Sequence, residues 1–323
     1  MVTFRASTLL AATLAASMSG CAPDPMPDSS STDVNPFFAE STLPLGMPAF
    51  DRIANAHFLP AFERGMAEQI AQMDSIVANP EPPTFGNVFV AMERSGRLLR
   101  RVSAAFDNLV SAHTDDEKEA IRLDLAPRRA AHLDQIRLNT ALFAKIQNVY
   151  DRLDELALDA VSRRLVERYY KDFVRSGATL TEADKERLRG LNTELAALST
   201  QFSQNVLKEV NDRAIVVDSI EQLAGFSEAR IAAAARAAEE RDLEGMYVIP
   251  LLNTSGQPPL AVLESRDLRR RIHEASLSRG SRGGEFDNLG IVSRSMRLRA
   301  ERARLLGYPN HAAYVVEDET ALT

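Results

Sequence analysis

The chain has 323 residues and a formal charge of −7. This length can bury a sizeable core, and the acidic balance excludes a protein whose main partner is nucleic acid, because such binding draws on neutralised phosphates. The single cysteine excludes an internal disulfide framework and any metal site built from several thiolates.

The first residues have the pattern of an export signal. A short positive start precedes an apolar run from Leu9 to Met18, which is too short to span a bilayer. The run ends in Met-Ser-Gly before Cys21 and resembles a bacterial lipoprotein lipobox, so residues 1–20 are predicted to be a lipoprotein-type signal peptide and Cys21 the lipidated residue. The alternative is that Cys21 is the tail of a conventional signal. In both cases export is expected, and Ala22 after the cysteine favours a periplasmic protein anchored by lipid to the outer membrane.

Residues 21–34 are rich in Pro, Asp and Ser and offer almost nothing to bury, which predicts a flexible tether. Helices are expected from residue 35 onward, marked by apolar residues that recur every three or four positions. The first is predicted over Phe58–Val77 and the second over Phe85–Ala112, with an interruption at Gly96.

Three more helices are predicted in the next part of the chain. One opens with a capping box at Thr114–Glu117 and is expected to kink or restart at Pro127. The other two are expected over Thr140–Tyr150 and Glu155–Val174.

The longest predicted helix runs from Thr181 to Val210, with Thr181 as its N-cap. It carries a continuous apolar stripe that several neighbours are expected to bury, formed by Leu188, Leu191, Leu195, Leu198, Phe202, Val206 and Val210. Gly177 supplies a left-handed position where the preceding helix can stop. The helices on either side of Gly177 are therefore predicted to form a hairpin.

Two short β-rich runs follow, at 214–217 and 246–252, and an alanine-rich helix from Ser227 to Glu240 lies between them. Two arginine-rich helices are predicted near Leu260–Ser278 and Asn288–Leu306. The predicted fold class is mainly α, with long packed helices, helical hairpins and a small β addition around 214–217 and 246–252.

The histidine pattern does not match a helical zinc hydrolase, which needs two histidines one turn apart on a helix. The two nearest, His113 and His132, stand nineteen positions apart. His273 is followed by glutamate, yet Leu277 stands where the second ligand would have to be, so His273 is interpreted as an ordinary helix-face residue. We predict no catalytic residue and no metal ligand in this chain.

Other catalytic patterns are equally missing from the sequence. It contains no Gly-x-Ser-x-Gly elbow, and its cysteine lies in the export signal. The arginines of the last two helices could attract an acidic ligand, but Glu264, Asp267, Glu274 and Glu301 are interleaved with them, and Arg297 stands four residues before Glu301. A solvated, salt-bridged face is the favoured interpretation.

Several stretches, taken together and in order, are similar to one known family. They are the Asn-Pro-Phe-Phe run at 35–38, Pro48–Asp51, His57–Phe62, Pro83–Asn87 with Met92–Gly96, Arg175–Ala178, Glu194–Phe202 and Leu305–Tyr308. They resemble the N-terminal half of the thimet-oligopeptidase-type zinc metallopeptidases. The opening favours the bacterial peptidyl-dipeptidase (dipeptidyl carboxypeptidase) branch over oligopeptidase A. The resemblance covers about Asn35 to Thr323.

The resemblance implies a mostly helical, two-lobed protein whose deep channel admits short unstructured peptides. In the branch named, the enzyme removes dipeptides from peptide C-termini with a zinc-activated water and a glutamate base. The family carries the zinc ligands and oxyanion groups on a His-Glu-x-x-His helix and other segments that would follow Thr323. Residues 35–323 are therefore expected to form the N-terminal lobe, without the catalytic lobe, and to bind no zinc of their own.

Two hypotheses follow. In the first, the chain is the N-terminal portion of an exported, lipid-anchored metallopeptidase, inactive alone and completed by a missing catalytic half. In the second, it is a stand-alone, non-catalytic lipoprotein that binds peptides. The expected partners are short unstructured peptides and, through lipid on Cys21, a membrane.

Overall fold

Helices make up most of the computed structural model, which describes residues 35–252, 254 and 256–320. They are α1 Phe58–Ala78, α2 Ala91–Arg94, α3 Arg97–Ala112, α4 Asp116–Arg137, α5 Thr140–Asp151, α6 Ala160–Arg175, α7 Glu182–Asp212, α8 Glu228–Glu239, α9 Arg266–Leu277, α10 Leu289–Leu305 and α11 His311–Val316. Two short strands, β1 Ile215–Val217 and β2 Tyr247–Ile249, pair antiparallel with Ile215 opposite Ile249. The prediction of a mainly α fold with a small β addition is confirmed.

The helices and strands pack around three hydrophobic cores. In the first, the predicted apolar face of α1 packs on α3 and α4, where the Phe106 ring lies 5.0 Å from Phe58 and 5.5 Å from Phe62. The second joins the far half of α1 to α5 and α6. The third lies under the two strands and is closed by α9 through Leu268 and Ile272. The end of α7 contributes Val210 to this third core.

The predicted second helix is divided. A π-helical turn over Phe85–Val90 leads into the short α2, and the chain breaks at Gly96, which has a left-handed φ of 64° and donates its N–H to Gln72 at 2.8 Å. The predicted interruption at Gly96 is therefore confirmed. A side chain there would collide with Gln69, since a Cβ would lie 2.7 Å from it.

The helix does not restart at Pro127, as the sequence expectation allowed, because α4 runs through that residue from Asp116 to Arg137. Proline removes one backbone hydrogen bond, and α4 packs extensively against α7. The N-cap of α4 is also one residue later than predicted. Asp115 accepts the N–H of Lys118 at 2.8 Å, whereas the Thr114 hydroxyl bonds to Glu119.

Two helix starts differ from the sequence expectation, and one helix was missed, because polar caps decide where these helices begin. The helix expected from residue 155 begins at Ala160, where Asp159 caps it, and the one expected from residue 260 begins at Arg266, after Ser265. The short α11 was not predicted. It begins where Asn310 accepts the N–H of Ala313 at 2.8 Å.

The predicted hairpin at Gly177 is only partly right. Gly177 ends α6 in a left-handed conformation with φ 99°, and Thr181 caps α7 as predicted by accepting the N–H of Asp184. Beyond this turn the two helices take different partners. α6 packs with α5 as a helical hairpin, whereas α7 packs chiefly between α4 and α10.

The apolar stripe of α7 is buried only near its two ends, at Leu188, Leu191 and Val210. Its middle residues are half-buried or exposed, and Phe202 is 39% exposed. Polar residues of the same helix are buried instead, namely Lys185, Gln204, Asn205 and Glu209. The expectation that the whole stripe is covered is therefore wrong for its middle third.

We predict that Gly177→Ala lowers the free energy of unfolding by about 1–3 kcal/mol, because an L-residue at φ 99° is strained and its Cβ would lie 2.7 Å from the side chain of Leu188. Gly190→Ala is the matched control within α7. No atom lies within 4 Å of its Cβ position, so the variant should gain about 0.5–1 kcal/mol from helix propensity. Chemical denaturation of both variants measures the difference, and equal effects of the same sign would contradict this account of the turn.

Candidate functional site

The histidines lie on separate elements of the fold, and two of them make structural hydrogen bonds. The His57 ring accepts the N–H of Ala54 at 3.0 Å, and His132 is buried against the Gln69 side chain at 2.7 Å. His273 is exposed on α9, as its interpretation as a helix-face residue required. Within the described part of the chain, no group of three or more His, Cys, Asp or Glu side chains could hold a metal ion. These residues therefore do not fit the zinc that the resemblance implies.

The predicted lipidation site, Cys21, lies outside the described residues, as do the signal peptide and the tether. These assignments stay predictions. Of the helices that the structure describes, none is both long and apolar enough to cross a bilayer.

The arginines of α9 and α10 have local partners. Arg270 pairs with Asp267 and Glu274 on α9, and Arg294 pairs with Glu194 on α7 at 2.5 Å. These contacts agree with a solvated, salt-bridged face. The suggested pair between Arg297 and Glu301 does not form, because Glu301 bonds to Arg187 of α7 at 2.6 Å instead.

Two adjoining depressions follow the exposed middle of α7, and they share Leu195 and Arg302. The first, which we call the charged pocket, has a volume of about 310 Å³ and is lined by Ala130, Leu133, Asp134, Arg137, Arg175, Ser176, Leu188, Asn192, Leu195, Ala196, Arg302, Leu306 and Tyr314. The second, the apolar groove, has a volume of about 400 Å³ and is lined by Leu195, Leu198, Ser199, Phe202, Ile291, Val292, Ser295, Met296, Arg299 and Arg302. Together they are the candidate functional site.

A bridging amide organises the charged pocket. The Asn192 side chain donates to both carboxylate oxygens of Asp134, at 2.9 and 3.1 Å, and its own oxygen accepts an N–H of Arg302 at 3.3 Å. Acid and guanidinium thus lie on either side of an amide and make no direct ion pair. Burial raises the pKa of Asp134 to about 6, although the Asn192 hydrogen bonds and the charges of Arg189, Arg137 and Arg302 act in the opposite direction.

The wall beside α6 is built around Tyr314 of α11. Its ring lies between two guanidinium groups, 4.7 Å from Arg175 and 5.4 Å from Arg302. Arg175 is neutralised by an ion pair with Glu317, and it also donates to the backbone carbonyl of Tyr314 at 2.7 Å. Arg302 has no such carboxylate, since none of the ion pairs among the described residues includes it.

The apolar groove leaves large side chains in water. Met296 on α10 is 65% exposed, and Phe202 lines the groove with it from α7 and is 39% exposed. The backbone at that end is fixed, because Asn288 donates to the carbonyl of Phe202 at 3.2 Å. The groove thus presents exposed apolar side chains of the kind that mark an interaction site.

The sequence does not reveal this site. Its residues come from α4, α6, α7, α10 and α11, and the prediction placed the middle of α7 in the core. The only available signal was the polar set Asn192, Gln204 and Asn205, which is unusual on a helix expected to be covered all round. The charged pocket has the side chains to bind charged groups, and the apolar groove has the side chains to bind apolar ones.

Comparison with known proteins shows which family the chain resembles. No protein-family model matches it. The chain is 42% identical over 292 residues to dipeptidyl carboxypeptidase of Escherichia coli, an alignment that covers 90% of this chain and 43% of that protein. The Salmonella typhimurium dipeptidyl carboxypeptidase is 41% identical, over 90% of this chain and 42% of its own length. Oligopeptidase A of Escherichia coli is 26% identical, over 83% of this chain and 40% of its own length.

The chain therefore spans less than half the length of the curated relatives it matches. Identity is higher to the two carboxypeptidases than to oligopeptidase A, as the opening residues predicted. The homologues of this chain are metallopeptidases of the thimet-oligopeptidase type, with dipeptidyl carboxypeptidase as the branch that its sequence favours.

Proposed function

We propose that this chain is the N-terminal portion of an exported zinc metallopeptidase of the peptidyl-dipeptidase type, which releases dipeptides from the C-termini of short unstructured peptides. The observation that carries the proposal is the 42% identity over nine-tenths of the chain but only 43% of the relative's length. In this proposal the rest of the enzyme supplies the zinc ligands and the glutamate base. The helices described above supply scaffold and channel wall, and no step through the metal is assigned to them.

The apolar groove favours the hypothesis in which further protein covers this surface of the chain. The exposed Met296 and Phe202 side chains line the groove from two helices, and in this proposal the rest of the enzyme buries them. Burial of such a patch stabilises a contact by roughly 25 cal/mol per Å² of apolar area. This favours the first hypothesis over a stand-alone peptide-binding lipoprotein.

The purified chain alone is expected to release no dipeptide from a blocked, unstructured peptide and to bind no stoichiometric zinc. A chimera in which it replaces the aligned 43% of Escherichia coli dipeptidyl carboxypeptidase is expected to release dipeptides, because it restores the missing half. Chromatography of the products and metal analysis measure both, and the chimera treated with a chelator is the control.

Two outcomes contradict this proposal. One equivalent of bound zinc together with hydrolysis by the chain alone would show that it contains its own active site. A stable monomer that binds the peptide, combined with an inactive chimera, would favour the peptide-binding lipoprotein.

We further propose that the chain is anchored by lipid on Cys21 to the outer membrane. Cys21→Ser should abolish incorporation of labelled palmitate and move the protein from the membrane to the soluble fraction, because the thiol carries the lipid. Met18→Leu, which brings the lipobox closer to the usual pattern, is the control and should label at least as well as the parent. Equal labelling of Cys21→Ser and the parent would rule out this anchor.

A further inference from the structure

The charged pocket offers opposite charges to a ligand. On its basic side, Arg302 makes no ion pair with a described residue, and its Nε is buried without a hydrogen bond. Arg137 also lines the pocket, and no carboxylate among the described residues pairs with it. A carboxylate in the pocket would supply the partner that these guanidinium groups lack, and arginine binds planar carboxylates well.

On its acidic side, Asp134 retains acceptor capacity. The residue is buried, and within the described part of the chain its two oxygens accept hydrogen bonds from one amide only, that of Asn192. An ionised carboxylate has about four acceptor sites, so it can receive further donors. A ligand ammonium beside it would offset the burial that raises the pKa of Asp134 to about 6.

The remaining walls are apolar. Leu133, Leu188, Leu195 and Leu306 contribute side chains, and the Tyr314 ring is held between Arg175 and Arg302. A volume of about 310 Å³ lies at the lower end of the range for small-molecule sites. It suits a ligand that carries two charges and one apolar group.

We propose that the charged pocket binds a zwitterion of the α-amino-acid type, with its carboxylate at Arg302 and Arg137, its ammonium at Asp134 and its apolar side chain against the leucines. Because both charges lie in one pocket, the ligand has both its free amino and its free carboxyl group there. A free amino acid or a dipeptide meets this requirement, whereas the interior of a longer peptide does not. This inference goes beyond the proposed function, because it involves no bond cleavage.

Calorimetric titration of the purified chain at pH 7.5, a value chosen about 1.5 units above the pKa of Asp134, tests the proposal. Leucine and glycyl-leucine are the zwitterionic probes and show whether one residue or two are preferred. N-acetyl-leucine lacks the ammonium and leucinamide lacks the carboxylate. Each is expected to bind at least about tenfold more weakly than the better zwitterion, the loss expected for one charge-assisted hydrogen bond.

The variants Arg302→Gln and Asp134→Asn should each weaken binding of that zwitterion about tenfold. Both keep a hydrogen-bonding group opposite Asn192, and their unfolding curves check that they fold. Arg297→Gln is the control, because Arg297 is exposed on α10 outside the pocket and should leave affinity unchanged.

The pH dependence provides an independent readout. Asp134 faces Arg137 from α4, Arg189 and Asn192 from α7, Arg302 from α10 and, across the pocket, Arg175 with its partner Glu317. Protonation of Asp134 below about pH 6 removes the partner of the ammonium, so affinity should fall there by up to tenfold per pH unit. In Asp134→Asn the affinity should not change over this range.

Three results would overturn the proposal. The first is that neither leucine nor glycyl-leucine shows saturable binding at ~10 mM, a concentration about 100-fold above a Kd of 0.1 mM. The second is that N-acetyl-leucine binds as tightly as the better zwitterion. The third is that the Asp134→Asn variant binds that zwitterion with unchanged affinity. Each outcome is independent of whether the chimera releases dipeptides.

Discussion

Buried amide side chains on α7 fix the register of this helix against its two neighbours. Gln204 donates to the carbonyl and the carboxylate of Glu119 on α4, at 2.7 and 3.1 Å. Asn205 donates to Asn288, just before α10, at 2.9 Å. A buried amide left without a partner costs about 1–3 kcal/mol, so a rotation of α7 that would cover its apolar stripe must break these bonds. These hydrogen bonds hold α4 and α10 on either side of α7 and leave the middle of its apolar stripe, including Phe202, facing water.

The same buried hydrogen bonds explain which parts of the fold could be predicted from the sequence and which could not. Helix periodicity located the apolar face of α1 and the start of α7 at Thr181, because aromatic spacing and an N-cap are local signals. It failed at Pro127, where α4 continues without restarting, and at Phe202, where hydrogen bonds of neighbouring polar residues decide which face is buried. The candidate site was not predictable, since Asp134, Asn192 and Arg302 meet only through the packing of three separate helices.

The two depressions along α7 differ in chemistry and therefore in what they support. The apolar groove presents exposed side chains on a backbone that Asn288 holds in place, and relatives more than twice as long supply a reason for that surface to be covered. The charged pocket is small and contains an acid and a base separated by one amide. It suits a small ligand with both charges. The long helix α7 thus lines both depressions and provides a surface for both proposed contacts.

The central proposal is that these helices are part of a longer zinc metallopeptidase. The most direct measurement is the mass and metal content of the native protein, captured from the cells that make it with antibodies raised against residues 35–320. The account predicts an assembly, of one chain or of two associated chains, that is more than twice the mass of this 323-residue chain and holds zinc. A protein with the mass of this chain alone, without zinc and without a zinc-containing partner, would contradict it.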